Sequence, residues 1–298
     1  MDSKELDRLK GMFFGLAVGD ALGTPLEFKD RDTYEHLTGM VGGGPFRLQP
    51  GEWTDDTSMA LALGQTFINH GYGPDFKIEL LKNFTRWYRN GEFSHNGRCF
   101  DIGTTTSQAI RAFIISRGTN DSPASEDPFA SGNGGIMRLA PAVVWAMAQP
   151  TPKALLDHVR SVAMIQSEIT HASDDCMRIA RIMASNLAEL VLGTSYSYIR
   201  RKSGVPMPKT RDEVKSTGYV VDTWQAANWA VANTDNFKDA LLLAVNLGDD
   251  ADTVGAVTGQ LAGAVYGYDA IPTEWLDVLA WKDKLEEMFD ELTYIRDE

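Results

Sequence analysis

Apolar residues over 4–22 (KELDRLKGMFFGLAVGDAL) recur at helical spacing, and glycine stands at every fourth position: Gly11, Gly15, Gly19 and Gly23. A glycine inside a helix costs roughly 1 kcal/mol relative to alanine. A stripe of them makes sense where a second backbone must come very close. Residues 252–266 (DTVGAVTGQLAGAVY) repeat the device with Gly255, Gly259 and Gly263. Both segments are predicted to be central, buried helices. Residues 55–69 form a third helix, ended by His70 and Gly71. Further helices are predicted near 75–90, 104–116, 138–148, 152–166, 173–191, 220–233, 236–246 and 275–292. Strand signals are few. The stretches 117–135 and 200–217 read as long polar loops. Neither demands a domain boundary, so the expectation is one all-α domain over 1–298.

Composition narrows the function. The chain has 298 residues, 43% of them hydrophobic, enough for a sizeable core. Its net charge of −13 excludes a free nucleic acid partner, because phosphate backbones need a Lys/Arg surface. A small phosphorylated ligand stays open, since backbone N–H groups can hold it. The two cysteines, Cys99 and Cys176, form neither a C-x-x-C motif nor a disulfide framework. The first residues do not resemble a signal peptide, and the early apolar run from Met12 to Val18 is too short for a bilayer. A cytoplasmic protein without a membrane partner is expected.

Two acidic clusters carry the candidate chemistry. Thr54-Asp55-Asp56 precedes the third helix, and Asp249-Asp250-Ala251-Asp252-Thr253 precedes the second glycine-striped one. Asp and Thr are favoured helix caps, and acidic residues suit the positive helix end. Capping uses one side chain, however. Two or three adjacent carboxylates repel one another unless a cation sits between them. Oxygen-only ligands select Mg²⁺, Mn²⁺ or Ca²⁺ over zinc. An EF-hand fails, because Val254 and Leu261 stand where that loop needs oxygen ligands. A cluster on each of two facing buried helices would instead build a binuclear centre. A histidine-rich phosphoesterase centre is disfavoured, since the five histidines (36, 70, 95, 158 and 171) show no metal-like spacing.

At these residues the chain resembles the ADP-ribosylglycohydrolases. The run Gly15–Gly23 followed by Pro25-Leu26-Glu27-Phe28 looks like that family's opening helix. Thr54-Asp55-Asp56-Thr57 is similar to its first metal motif, and Gly132-Asn133-Gly134-Gly135-Ile136-Met137-Arg138 to its glycine loop. Ile169-Thr170-His171 and Gly248–Gly255 complete the set in the family's order. Tyr219–Thr223 and the segment from Tyr266 to Trp275 resemble the dinitrogenase reductase-activating, arginine-specific branch.

The resemblance implies a single compact, orthogonally packed all-α domain with a binuclear metal cleft. It implies two divalent cations, Mg²⁺ or Mn²⁺, on Thr54, Asp55, Asp56, Asp250, Asp252 and Thr253. It places Glu27 and Asp101 in proton transfer. Gly103, Thr104, Gly132, Asn133, Gly134, Gly135, Met137, His171 and Tyr219 would bind ADP-ribose. The pyrophosphate would lie on the glycine loop, before a helix starting near Met137. Thr104 stands where nitrogenase-regulating relatives tend to have Asn, and Asp249 where relatives often have Gly. The implied activity is hydrolysis of ADP-ribose from a modified protein, N-linked on arginine. The same fold acting on an O-linkage (serine or O-acetyl-ADP-ribose) remains an alternative, as does a non-catalytic ADP-ribose-binding or structural member.

Overall fold

The computed structural model describes residues 1–150, 154–202 and 204–294. Among them are fourteen α-helices and no β-strand, only three isolated bridges. In chain order the first seven are α1 (Ser3–Gly23), α2 (Asp55–His70), α3 (Phe76–Asn90), α4 (Thr104–Ile115), α5 (Gly134–Met137), α6 (Ala140–Ala148) and α7 (Leu155–Glu168). They are followed by α8 (Asp174–Val191), α9 (Tyr196–Lys202), α10 (Val220–Ala232), α11 (Phe237–Val245), α12 (Ala251–Tyr266), α13 (Thr273–Leu276) and α14 (Lys282–Thr293).

The two glycine stripes meet each other. Helices α1 and α12 run antiparallel, with Gly11 against Gly263, Gly15 against Gly259 and Gly19 against Gly255. A β-carbon built on Gly259 would lie 1.8 Å from the Gly15 carbonyl oxygen, so the space is filled by backbone itself. This pair forms the buried centre of the molecule. Helices α2, α6, α8, α10 and α11 pack around it. Asp2 starts α1 by accepting the N–H groups of Lys4 and Glu5, and Glu5 accepts the N–H of Asp2 in return. The register of the pair also brings the C-terminal end of α1, with Asp20, to the N-terminal end of α12, with Asp252.

Most predicted helices fall where expected, with three differences. The helix predicted over 275–292 is two helices. Between them Ala280 donates its N–H to the Gly51 carbonyl, and Trp53 Nε1 donates to the Ala280 carbonyl at 3.0 Å. Trp281, at φ 59°, reverses the chain and sets its ring edge-on to Trp53. The 51–53 loop thus takes the backbone that local periodicity would give to a helix. The predicted 200–217 loop is entered by α9, whose last residues are Arg200, Arg201 and Lys202. The glycine loop ends earlier than predicted, because α5 begins at Gly134, not near Met137. The start predicted for the 152–166 helix lies outside the described residues, and Leu155 is the first described helical residue there. No helix among the described residues is long and apolar enough to cross a membrane.

Candidate active site

Both acidic clusters sit at helix N-termini, and neither caps its helix. Thr54 is the N-cap of α2 and Asp250 the N-cap of α12, yet neither side chain makes a capping hydrogen bond. For α2 the task passes to Asp20 of α1. Its Oδ1 accepts the Thr54 N–H (2.9 Å) and lies 2.9 Å from the Thr54 hydroxyl. Its Oδ2 accepts the Thr57 N–H (3.0 Å) and hydroxyl (2.6 Å). The capping explanation of the two clusters is therefore set aside. Their carboxylates are freed for something else.

Helix pairing then joins the clusters. Thr54 Oγ1 lies 3.1 Å from Asp252 Oδ2, and Thr253 Oγ1 donates to Asp56 Oδ2 at 3.3 Å. Glu27, on the turn after α1, and Asp101, just before α4, join them: one carboxylate oxygen each from Glu27, Asp101 and Asp252 lies within 4.8 Å of the others. Asp101 adopts φ 62° and does not cap α4, whose N-cap is Gly103. Asp20, Glu27, Asp55, Asp56 and Asp252 are all buried.

Such crowding is costly without a counter-charge. Two unit charges 4 Å apart repel by about 4 kcal/mol at a near-surface effective dielectric. Burial, followed by the charge of Asp252, pushes the carboxyls of Asp20 and Asp250 up to about 7 and that of Glu27 up to about 10. Asp55 and Asp101 are raised by the same two causes, Asp56 by burial and then Asp20, and Asp252 by burial. Glu27 Oε2, Asp56 Oδ1 and Asp101 Oδ2 are buried without any hydrogen-bond partner. Unpartnered anionic oxygens, in an all-oxygen donor set, fit hard divalent cations. The residue set is right for them.

A pH experiment follows. A carboxyl whose pKa is higher in the folded than in the unfolded state takes up a proton on folding. Its contribution is complete below the unfolded value near 4 and is lost as pH climbs through the folded value. Protein stripped of divalent cations is expected to lose stability from pH 4 through about 7, with Glu27 extending the trend toward 10. The slope should be on the order of 1 kcal/mol per pH unit for each group still protonated. His171, lowered to about 3 chiefly by burial, works oppositely, its contribution falling below about pH 6.5. Melting curves in EDTA across pH 4–9 test this. Added Mn²⁺ should raise the midpoint more at pH 8 than at pH 5, and an EDTA midpoint that rises steadily with pH would refute it.

The acidic cluster forms the floor of a cavity of about 570 Å³, a size that suits a nucleotide-like ligand. Glu27, Asp55, Asp101, Asp250, Asp252 and Thr253 line it, as do Gly103, Thr104, Gly132, Asn133, Gly134, Met137 and His171. Thr54 and Asp56 lie just behind, bonded to Asp252 and Thr253. Gly135 is buried against Ser167. Tyr219 does not line the cavity: its backbone pairs with Gly132, and its hydroxyl donates to Asp175 at 2.5 Å. A larger groove, about 750 Å³, lies beneath α14 and lacks such a convergent carboxylate set.

The glycine loop exposes fewer N–H groups than expected. The amides of Gly132, Asn133, Ile136 and Met137 bond within the protein, which leaves those of Gly134 and Gly135. The Asn133 side chain is also engaged, donating to Asp250 Oδ2 (2.5 Å) and Thr223 Oγ1 (2.9 Å). His171 underlies the loop, and a β-carbon on Gly134 would come within 2.5 Å of its ring. Buried Arg138 can only donate, so Thr170 Oγ1 accepts from it (2.7 Å) and gives its own proton to His171 Nδ1 (2.8 Å). The neutral imidazole then carries its hydrogen on Nε2, the atom beside Gly132.

Sequence reasoning assigned no role to Asp20, Arg138, Phe28 or Phe46. The signal for Asp20 was present: a lone carboxylate inside an otherwise small and apolar helix needs buried partners. The two phenylalanines line the cavity and carry no such signal.

The comparisons agree with this architecture. The ADP-ribosylglycohydrolase family model matches residues 1–297. "ADP-ribosylarginine hydrolase Tri1" of Serratia proteamaculans (strain 568) is 44% identical, the match covering 100% of this chain and 82% of that protein. "ADP-ribosyl-[dinitrogen reductase] glycohydrolase" of Rhodospirillum rubrum is 34% identical, over 94% of this chain and 92% of its own. A solved structure titled "ADP-ribosylglycohydrolase-related protein complex" superposes with a TM-score of 0.81 at 34% identity, covering 98% of this chain and 99% of that one.

Proposed function

The chain belongs to the ADP-ribosylglycohydrolase family, and from that premise we propose that it hydrolyses the N-glycosidic bond between ADP-ribose and an arginine of a modified protein. The observation that carries this reading is that Glu27 and Asp101, each with an unpartnered carboxylate oxygen, line a nucleotide-sized cavity together with the glycine loop. The relatives named for arginine-linked ADP-ribose support the linkage. We assign Thr54, Asp55, Asp56, Asp250, Asp252 and Thr253 to hold two divalent cations, Mg²⁺ or Mn²⁺. Bound there, such cations would acidify water and polarise ribose hydroxyls.

The chain's own residues do the rest. Gly134 and Gly135 offer backbone N–H groups, and His171 its Nε2–H, to the pyrophosphate of ADP-ribose. Gly103 and Thr104 lie along the distal ribose, with Gly132 and Met137 beneath the nucleotide. Asn133 acts by holding Asp250, and Tyr219 by holding Gly132. Water adds to the anomeric carbon as the carbon–nitrogen bond breaks, and the bond pair goes to the guanidine nitrogen. Glu27 and Asp101 take one proton from the water and return one to the strongly basic guanidine as it leaves. Residues 1–298 act as one domain, because the site is shared by its first and twelfth helices. The two free cysteines fit a reducing cytoplasm.

Peptides carrying ADP-ribosylarginine or ADP-ribosylserine, each incubated with and without EDTA, test the proposal. Only the arginine peptide should be cleaved, EDTA should stop cleavage, and Mg²⁺ or Mn²⁺ should restore it. Turnover of the serine peptide alone would overturn the assignment.

A further inference from the structure

We infer that Phe28 is a specificity-determining residue, an aromatic platform at the mouth of the site for the guanidinium of the modified arginine. This rests on the arginine reading above. Phe28 directly follows Glu27 and lines the same cavity, yet it is 69% exposed. Its backbone is at φ 60°, a region that side chains with a β-carbon disfavour. The strain is imposed from both sides. Phe28 donates its N–H to the Asp249 carbonyl at 2.7 Å, and the Asp249 N–H donates to the Lys29 carbonyl at 2.8 Å. That bridge ties the Glu27 turn to the start of α12.

The fold gains little from this side chain. A large apolar group held in a disfavoured conformation and left in water is costly twice over. Where both costs coincide at a cavity mouth, a ligand is the economical explanation. The surroundings say which kind. Phe46 lines the same cavity, set edge-on to Phe100 at 5.2 Å, and the neighbouring Arg47 is again at φ 56°. The carboxylates of Glu27 and Asp101 line the same cavity as these rings. Aromatic faces next to carboxylates suit a planar, weakly hydrated cation, which is what a guanidinium is. On the proposed reading the glycine loop and His171 serve the nucleotide, so changing Phe28 should leave the binding of free ADP-ribose unchanged.

The full-length protein with Mn²⁺ and the variants Phe28→Ala, Phe28→Gly and Phe28→Tyr provide the test. On an ADP-ribosylarginine peptide, the Ala and Gly variants should raise KM about tenfold, with kcat within about twofold. Inhibition by free ADP-ribose should be unchanged, and the Tyr variant should behave as the parent. Phe28→Gly should also raise the melting temperature by about 2 °C, because the strain is relieved. Weaker ADP-ribose inhibition in parallel would assign Phe28 to the nucleotide and overturn the proposal. So would a fall in kcat at constant KM, unchanged kinetics, or a lower melting temperature for the Gly variant. Failure of the parent to cleave the arginine peptide would overturn the arginine reading and this inference together. Cleavage by the parent with indifferent variants overturns this inference alone.

Discussion

Replacing Asp252 with asparagine is expected to reduce turnover on the order of 10³-fold and, in EDTA, to make the protein more stable. The two effects have one cause. Asp252 is the leading neighbouring charge on Asp20, Glu27, Asp55, Asp101 and Asp250. It is the hub of the repulsion. Asparagine keeps the shape, its oxygen still accepting the Thr253 N–H and its amide donating to the Thr54 hydroxyl, but it removes the charge. Without cations, the remaining carboxylates then ionise at less cost, and melting should rise by about 2 °C or more at pH 8. With Mn²⁺ present the order should reverse, because the parent gains binding energy that the variant lacks. Titration calorimetry with Mn²⁺, melting curves in EDTA and single-turnover cleavage read the three quantities separately. Normal turnover, or a lower EDTA melting point than the parent, would remove Asp252 from its assigned place.

The second large effect belongs to Gly259. By intrinsic helix propensity, alanine there should stabilise the chain by about 1 kcal/mol. Packing predicts the opposite. The added methyl would lie 1.8 Å from the carbonyl oxygen of Gly15 and 2.5 Å from its carbon. Both belong to helical backbone, so no flexible side chain can yield. Overpacking at a side chain typically costs 1–3 kcal/mol, and backbone on backbone should exceed that, so a loss of about 4 kcal/mol or more is expected. Activity should fall with it, since α12 carries Asp250 and Asp252 at its start. Gly73→Ala is the control: the nearest atom its methyl would meet, the His70 carbonyl oxygen, is 4.0 Å away, and its change should stay within about 0.5 kcal/mol. Denaturant midpoints decide between propensity and packing. A Gly259→Ala protein as stable as its parent would mean the helices do not approach this closely.

The same contrast shows what was legible in the sequence. The glycine stripes announced a close backbone approach, because nothing else explains seven glycines in two helices. The carboxylate clusters announced cations for a similar reason: they exceed what capping needs. The long helices followed from periodicity; the break at 277–281 did not, because the bonds of Ala280 to Gly51 and Trp53 come from residues far away in the chain. Asp20 escaped assignment because its four contacts all lie on Thr54 and Thr57, which only folding brings near. Asn133 and Tyr219 were read as ligand contacts from motif alone. Their side chains hold Asp250 and Asp175; Asn133 still lines the cavity and Tyr219 stands outside it, a distinction that residue type cannot make. Left-handed backbone at Phe28, Asp101 and Asp249 is likewise invisible locally.

The pairing of α1 with α12 also sets an order of events during synthesis. Helix α1 leaves the ribosome more than two hundred residues ahead of α12, carrying the glycine face that α12 covers. Until residues 251–263 emerge, Gly11, Gly15 and Gly19 have no partner and Asp20 has no Asp252 beside it. Loop closure over nearly the whole chain is entropically unfavourable and slow. The catalytic floor therefore comes into being only once α12 has been made, and a nascent chain interrupted before α12 holds the earlier helices of the cleft without a site to serve.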